Sequence, residues 1–288
     1  MIPEDFDYLR KLLRERSGLV LAAEKQYLAE SRLLPVARKH RLSSLADLVE
    51  RLKTTSPGVL ATEVIEAMTT NETLFFRDKI PYDQFRDIIV PALIASHSYR
   101  RSIRIWCAAA ASGQEPYSLA MILREMNQLL AGFKIEILAT DLSNEMLEKA
   151  KTGIYSQFEV QRGLPIQQLI KYFARVGEFW QIAPELRAMV SFRQLNLLQD
   201  FGHFGSFDLI FCRNVLIYFD QPTKKAVLER LSRLIEPDGF LVLGAAETVI
   251  GLTDTFKPMV NQRGLYVPQR KPTAQSERSN VLKFVAKA

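Results

Sequence analysis

Cysteine is nearly absent: Cys107 and Cys212 are the only two in 288 residues. Both follow hydrophobic, strand-like runs and read as buried free thiols packed as small apolar groups, not as a disulfide framework. Histidine is equally scarce. His40, His97 and His203 are scattered without metal-ligand spacing, so a zinc site has no support. No G-x-S-x-G stretch occurs, which removes the nucleophile elbow of the serine hydrolases. G-x-G-x-x-G is also missing, and with it the dinucleotide-binding fingerprint. No apolar run approaches the roughly 18 residues that a membrane span needs. The amino terminus, MIPEDFDY, is acidic where a secretion signal is basic and then apolar. A cytoplasmic globular protein without membrane insertion is the expectation.

Hydrophobic residues at 48% and charged ones at 24% suffice for a sizeable core and one or two domains. The formal charge of +6 implies a partner of negative surface, whether nucleic acid, acidic protein or phospholipid. That charge is uneven. Acids cluster at Glu4, Asp5 and Asp7, and basic side chains dominate from Arg10 to Lys53.

The first seventy-odd residues carry helical periodicity and no strand alternation. Phe6, Leu9, Leu12 and Leu13 share a face of a first helix that Gly18 ends. A second is expected from Glu24 to His40, with Tyr27, Leu28, Leu33 and Leu34 toward a core and a kink or break at Pro35. A third runs from Ser44 to Lys53, capped by Ser43 or Ser44, and Ser56-Pro57-Gly58 is a loop before a fourth from Val59 to Met68.

From Arg101 strands alternate with helices, which implies βαβ units and a mainly parallel sheet. The expected strands are Ile103–Cys107, Lys134–Thr140, Val190–Leu195, Phe207–Cys212 and Phe240–Gly244, the last entered by a Pro-Asp-Gly turn. Helices are expected over Tyr117–Leu130, Asn144–Lys151 (capped by Ser143) and Thr223–Ile235. Between Lys151 and Val190 the rhythm fails. An aromatic stretch with a hairpin-like YFARVGEFWQI around Gly177 reads as an inserted antiparallel subdomain. From Pro268 the chain turns polar and reads as a mobile tail.

Four strand ends carry polar groups, and ligands of open α/β sheets bind outside such carboxyl ends. After the first strand, AAAASGQEP lets a ligand approach the backbone, and Glu115 at its mouth repels a pyrophosphate but attracts an ammonium. Asp141 closes the second strand. It reads either as a helix cap or as an acceptor for two ribose hydroxyls. Asn196 and Leu197 follow the third strand and could flank an adenine edge; Asn214 and Val215 follow the fourth, with the phenol of Tyr218 one turn later. Together they describe a nucleoside pocket with a carboxylate near a cation. Asn71, Thr73 and Arg77 lie ahead of the sheet, in MTTNETLFFRD, at the junction with the helices.

The segments TTNETLFFRD, WCAAAASGQEPYSLAM, ATDLS, NLL and FDLIFCRNVLIYFD occur in an order that closely resembles the chemotaxis receptor glutamate methyltransferases, the CheR family. The resemblance runs from about Met68 to Val267. It implies a class I S-adenosylmethionine-dependent methyltransferase fold over 75–267, a helical receptor-binding domain over 1–74, a β-subdomain inserted at 153–189, and a tail at 268–288. The implied reaction is methyl transfer to receptor glutamates, with S-adenosylhomocysteine as product and no metal. By position, the cofactor contacts fall on Asn71, Thr73, Arg77, Glu115, Asp141, Asn196, Leu197, Asn214 and Val215, with Arg77 and Tyr218 beside the reacting methyl. The implied partners are the cytoplasmic methylation helices of chemoreceptors. Many relatives also dock a receptor's carboxyl-terminal pentapeptide through the β-subdomain, and some do not. One departure is GAAETV after the last parallel strand, where the family often has Gly-His-Ser-Glu. The rival readings are a nucleic-acid methyltransferase and a receptor-binding adaptor without catalysis. The first lacks an Asn/Asp-Pro-Pro-aromatic motif, since Arg213-Asn214-Val215-Leu216 stands there; the second leaves Asp141, Arg77 and Tyr218 without a purpose.

Overall fold

A computed structural model describes residues 1–55 and 58–269. Ser56 and Pro57 of the expected loop, and the tail from Arg270 on, lie outside the described residues.

Four helices come first: α1 (Pro3–Ser17), α2 (Gln26–Lys39), α3 (Leu45–Thr54) and α4 (Val59–Met68). Phe6, Leu9, Leu13, Ala29, Leu33, Leu48 and Val64 form their shared core. Gly18 ends α1 in the left-handed conformation at φ 77°, and a Cβ there would meet the Phe219 ring at 2.9 Å. Ser44 and Asp47 form a reciprocal capping box at the start of α3. Two expectations for α2 are corrected in part. Tyr27 and Leu34 are exposed, and Ala29, Val36 and Ala37 are buried with Leu33, so the buried stripe is rotated by about a third of a turn from the one inferred. Of the kink or break expected at Pro35, the break does not occur: the helix runs on, Pro35 faces solvent, and water can serve the carbonyl it leaves unpaired.

Next come α5 (Ile80–Gln84), a π-helical turn at Phe85–Ile89, and α6 (Val90–Ser96), which lead to β1 (Ser102–Ala108). There follow α7 (Gln114–Glu125), β2 (Lys134–Asp141) and α8 (Asn144–Thr152). The insert holds β3 (Ile154–Tyr155), α9 (Gln157–Gln161), α10 (Ile166–Tyr172), β4 (Phe173–Val176), β5 (Phe179–Ile182) and α11 (Pro184–Arg187). The chain closes with β6 (Val190–Gln194), β7 (Phe207–Cys212), α12 (Gln221–Leu234), β8 (Ile235–Leu243), β9 (Phe256–Pro258) and β10 (Leu265–Pro268).

Seven strands make the main sheet in the order β6-β2-β1-β7-β8-β10-β9. The pairs among β6, β2, β1, β7 and β8 are all parallel, and β10 joins β8 and β9 antiparallel. Strand order reverses at β1, whose neighbours β2 and β7 both come later in the chain. A crevice at the carboxyl ends of the strands is therefore dictated by topology. Every residue of β7 is buried, as expected of a central parallel strand covered on both faces.

The largest boundary differences from the sequence reading fall at α7 and β8. Helix α7 starts at Gln114, since left-handed Gly113 (φ 91°) ends the small-residue loop sooner than the apolar pattern indicates. It stops at Glu125, ahead of the polar Asn127 and Gln128. Pro237-Asp238-Gly239 is no separate turn but a bulge within β8: Phe207 pairs with Ile235, whereas Leu209 pairs with Phe240. The insert is a three-stranded antiparallel sheet, β3-β5-β4, whose β4–β5 hairpin turns at left-handed Gly177. Gly163 presses it onto the core; a Cβ there would lie 2.1 Å from the Phe75 carbonyl oxygen.

Candidate active site

The ends of β1, β2, β6 and β7 and the segment joining α4 to α5 enclose one cavity, with roughly 940 Å³ of empty space including its open mouth. All ten residues singled out in the sequence line it: Asn71, Thr73, Arg77, Glu115, Asp141, Asn196, Leu197, Asn214, Val215 and Tyr218. Ala109 and Ala111 border it in left-handed conformations, at φ 62° and 46°. Such strain collects where surrounding structure holds a functional site in place, and the small side chains leave backbone open to a ligand.

Asp141 lines the cavity and is held by backbone N–H groups on both oxygens. Its Oδ1 accepts the Ser143 N–H at 2.9 Å and its Oδ2 accepts the Ala111 N–H at 2.8 Å, bracing the β1 loop. A carboxylate has about four lone-pair sites, so two remain for a ligand. Burial pushes its pKa above the usual aspartate range, and the backbone N–H donors oppose that rise.

Glu115 is less free than expected. It is buried and its Oε2 accepts from Arg213 Nη1 at 3.0 Å. Burial raises its pKa, against the pull of the Arg213 charge. Arg213 also donates through Nη2 to Asp78 Oδ2 at 2.7 Å and to the Arg77 carbonyl at 3.0 Å. The arginine thus ties the end of β7, the start of α7 and the Arg77–Asp78 segment together. Its sequence signal is a charged residue directly after the strand-like run Phe207–Cys212, and its ties to Glu115 and Asp78 are not readable from the letters.

Asn196 has its amide already engaged: Nδ2 donates to the Arg16 carbonyl at 2.5 Å and Oδ1 accepts from Leu198 N at 2.9 Å. It therefore also locks α1 onto the sheet. Arg77 donates to the Glu72 carbonyl at 2.7 Å and has no ion pair among the described residues. Asn214 sits left-handed at φ 58°, with its side chain on the cavity wall.

Further residues escaped the sequence reading. Glu247, within GAAETV, accepts backbone N–H groups from the Asn214–Ile217 turn. Arg32 of α2 holds the carbonyls of Met68 and Thr69, both at 2.8 Å, fixing the segment that carries Asn71 and Thr73. Tyr82 lines the cavity, and burial drives its hydroxyl pKa well up. The helical region touches the site again at the Tyr218 carbonyl, which accepts from Val20 N at 2.9 Å, and at Asp220, paired with Arg14 at 2.7 Å.

Residues 71–265 match the family described as CheR methyltransferase, SAM binding domain, and residues 4–69 match CheR methyltransferase, all-alpha domain. The chain is 43% identical to chemotaxis protein methyltransferase 1 of Pseudomonas aeruginosa, over 88% of this chain and 93% of that protein. It is 41% identical to chemotaxis protein methyltransferase Cher2 of Pseudomonas putida, over the same shares. The parallel sheet, the all-α region and the small antiparallel sheet define an S-adenosylmethionine-dependent methyltransferase. More narrowly, the chain belongs to the CheR family of chemotaxis methyltransferases. Among the described residues no helix is long and apolar enough to cross a membrane.

Proposed function

We propose that the protein methylates glutamate side chains in the cytoplasmic helices of chemoreceptors, producing glutamyl methyl esters and S-adenosylhomocysteine. The observation that carries this reading is the convergence of Glu115, Asp141, Arg77 and Tyr218 on one cavity in a CheR-family chain.

The donor set fits the cofactor. Two buried carboxylates and small left-handed residues suit a nucleoside carrying a positive charge, and would repel a polyphosphate. In this reading Asp141 holds the ribose hydroxyls, and Glu115, tempered by Arg213, faces the ammonium. Asn196, Leu197, Asn214 and Val215 flank the base; Asn71 and Thr73 close the cavity from the helical side. S-adenosylmethionine supplies an electrophilic methyl group when bound.

The chain's remaining task is alignment. A glutamate with a pKa of about 4.3 is already an anion at neutral pH, so no general base is required. The attacking oxygen loses its charge as the ester forms. A tight ionic clamp on that oxygen would stabilise the ground state more than the transition state and slow the reaction. Arg77, anchored through the Glu72 carbonyl, orients the acceptor, and Tyr218 places its phenol beside the transferable group. Excluding water and holding the reactants in line supply the rate.

A methylation helix presents unmodified glutamates and hence negative charge, which suits the basic helical region. Arg14, Lys39 and Lys53 are engaged by Asp220, Glu63 and Asp5, and Arg32 by carbonyls, while Arg16, Lys25, Arg38, Arg41 and Arg51 have no ion pair among the described residues. The last five form the steering surface in this reading. Methyl counting on receptor against RNA, with labelled cofactor, tests the function: label in receptor supports it, and label in RNA alone overturns it.

A further inference from the structure

Strand β7 ends at Cys212, and the chain must then turn sharply to bring Asn214 and Tyr218 to the cavity. The N–H groups at the start of a helical turn have no acceptor within it. Here one side chain serves them. Glu247 Oε1 accepts from Val215 N at 2.9 Å, Leu216 N at 2.7 Å and Ile217 N at 3.3 Å. Its Oε2 accepts from Asn214 N at 2.9 Å and from Gly244 N at 2.7 Å. Successive N–H groups converging on one anion form a nest, and charge-assisted bonds of this kind are about twice as strong as neutral ones.

We propose that Glu247 is a positioning residue for methyl transfer: its carboxylate sets the backbone of the Asn214–Ile217 turn, and through it the Asn214 amide and the Tyr218 phenol. This rests on the functional reading above and names a residue that never touches the reactants. Three observations support it. Glu247 is only 9% exposed, so its charge is held by the turn and not by water. Asn214 is left-handed at φ 58°, a conformation that asparagine tolerates better than most residues and that turns its N–H toward the Glu247 carboxylate. Gly244 admits the arrangement, since a Cβ there would lie 2.7 Å from Glu247 Oε2 and 2.9 Å from Asn214 N. The far side of the turn is fixed independently by the Val20 N–H on the Tyr218 carbonyl. Tyr218 is thus held from both ends. The Glu of GAAETV has a geometric task whatever precedes it, which gives that segment a role the letters alone did not reveal.

The test compares wild type, Glu247→Gln, Tyr218→Phe and the double variant. Glutamine keeps one acceptor oxygen and turns an NH2 group toward donors, so the nest cannot re-form. Calorimetry with S-adenosylhomocysteine and single-turnover methylation of receptor are both measured on protein shown to melt cooperatively. The expected result for Glu247→Gln is a loss of about tenfold or more in both product affinity and transfer rate. The double variant should be slowed by clearly less than the product of the two single effects, because both act through the phenol. A lower melting temperature with wild-type affinity and rate would overturn the proposal, as would strict multiplicativity in the double variant. Should Glu247→Gln not fold, Glu247→Asp decides: it keeps the charge but withdraws both oxygens by one methylene, and wild-type affinity and rate would contradict the proposal. If wild type methylates an acceptor other than receptor glutamate, the functional reading fails alone, and the product-affinity arm still judges Glu247.

Discussion

Arg213 and Glu115, 98 residues apart, form a buried ion pair at 3.0 Å beneath the cavity. Arginine serves here as a three-way tie, because its second amino group reaches Asp78 and the Arg77 carbonyl. Breaking a buried pair by removing one partner strands the other charge, at a cost of about 3–5 kcal/mol. Arg213→Met should therefore lose stability of that order in denaturant unfolding. Adding Glu115→Gln should restore a large part of it. A single variant as stable as wild type would show that the pair does not hold the site.

Burial raises the pKa of both Glu115 and Asp141. For a group raised on folding, its stabilising contribution is present below the ordinary carboxylate range and is lost as pH rises through the folded value. Ligand binding runs the other way, since it needs the ionised form. Affinity for S-adenosylhomocysteine should fall on acidification, starting at a pH above the ordinary 3.9–4.3 or so of free carboxyls. Asp141→Asn should weaken binding near neutral pH and remove part of that dependence. Titration calorimetry over a pH series checks both.

Tyr218→Phe deletes a hydroxyl and nothing else. A loss in receptor turnover of about tenfold or more, with unchanged product affinity, is expected of a group that acts in the transition state. Equal turnover would make the phenol structural.

Arg38→Glu with Arg41→Glu reverses two exposed charges of the helical surface. Complementary fields raise encounter rates and fade with salt, with a screening length of about 10 Å at 0.1 M. The variant should methylate receptor more slowly at low salt, lose the salt sensitivity of wild type, and keep its affinity for S-adenosylhomocysteine. Identical turnover across a salt series would move recognition elsewhere.

The site was legible where function is written locally. Asp141, Asn196 and Asn214 each follow a hydrophobic strand, and a parallel sheet necessarily gathers such ends. Arg213 and Glu247 were not legible in that way, because their partners lie far off in sequence: Glu247 serves N–H groups about 30 residues earlier. Backbone hydrogen-bond partners leave no mark in residue type. Tyr27 and Leu34 lie on the solvent side of α2, against the expectation, because periodicity finds a stripe but not what covers it. The Pro-Asp-Gly of β8 has turn chemistry, yet its neighbours hold it inside a strand as a bulge.

The acceptor atom is the most direct test of the whole account. Purified receptor and enzyme are incubated with methyl-labelled S-adenosylmethionine, and the receptor is mapped by fragmentation mass spectrometry before and after mild alkali. The account predicts one added methyl per modified site, on glutamate side chains, released as methanol by base. It also predicts that Tyr218→Phe forms the same product more slowly. Base-stable label on nitrogen, or transfer to RNA with none to the receptor, would contradict it.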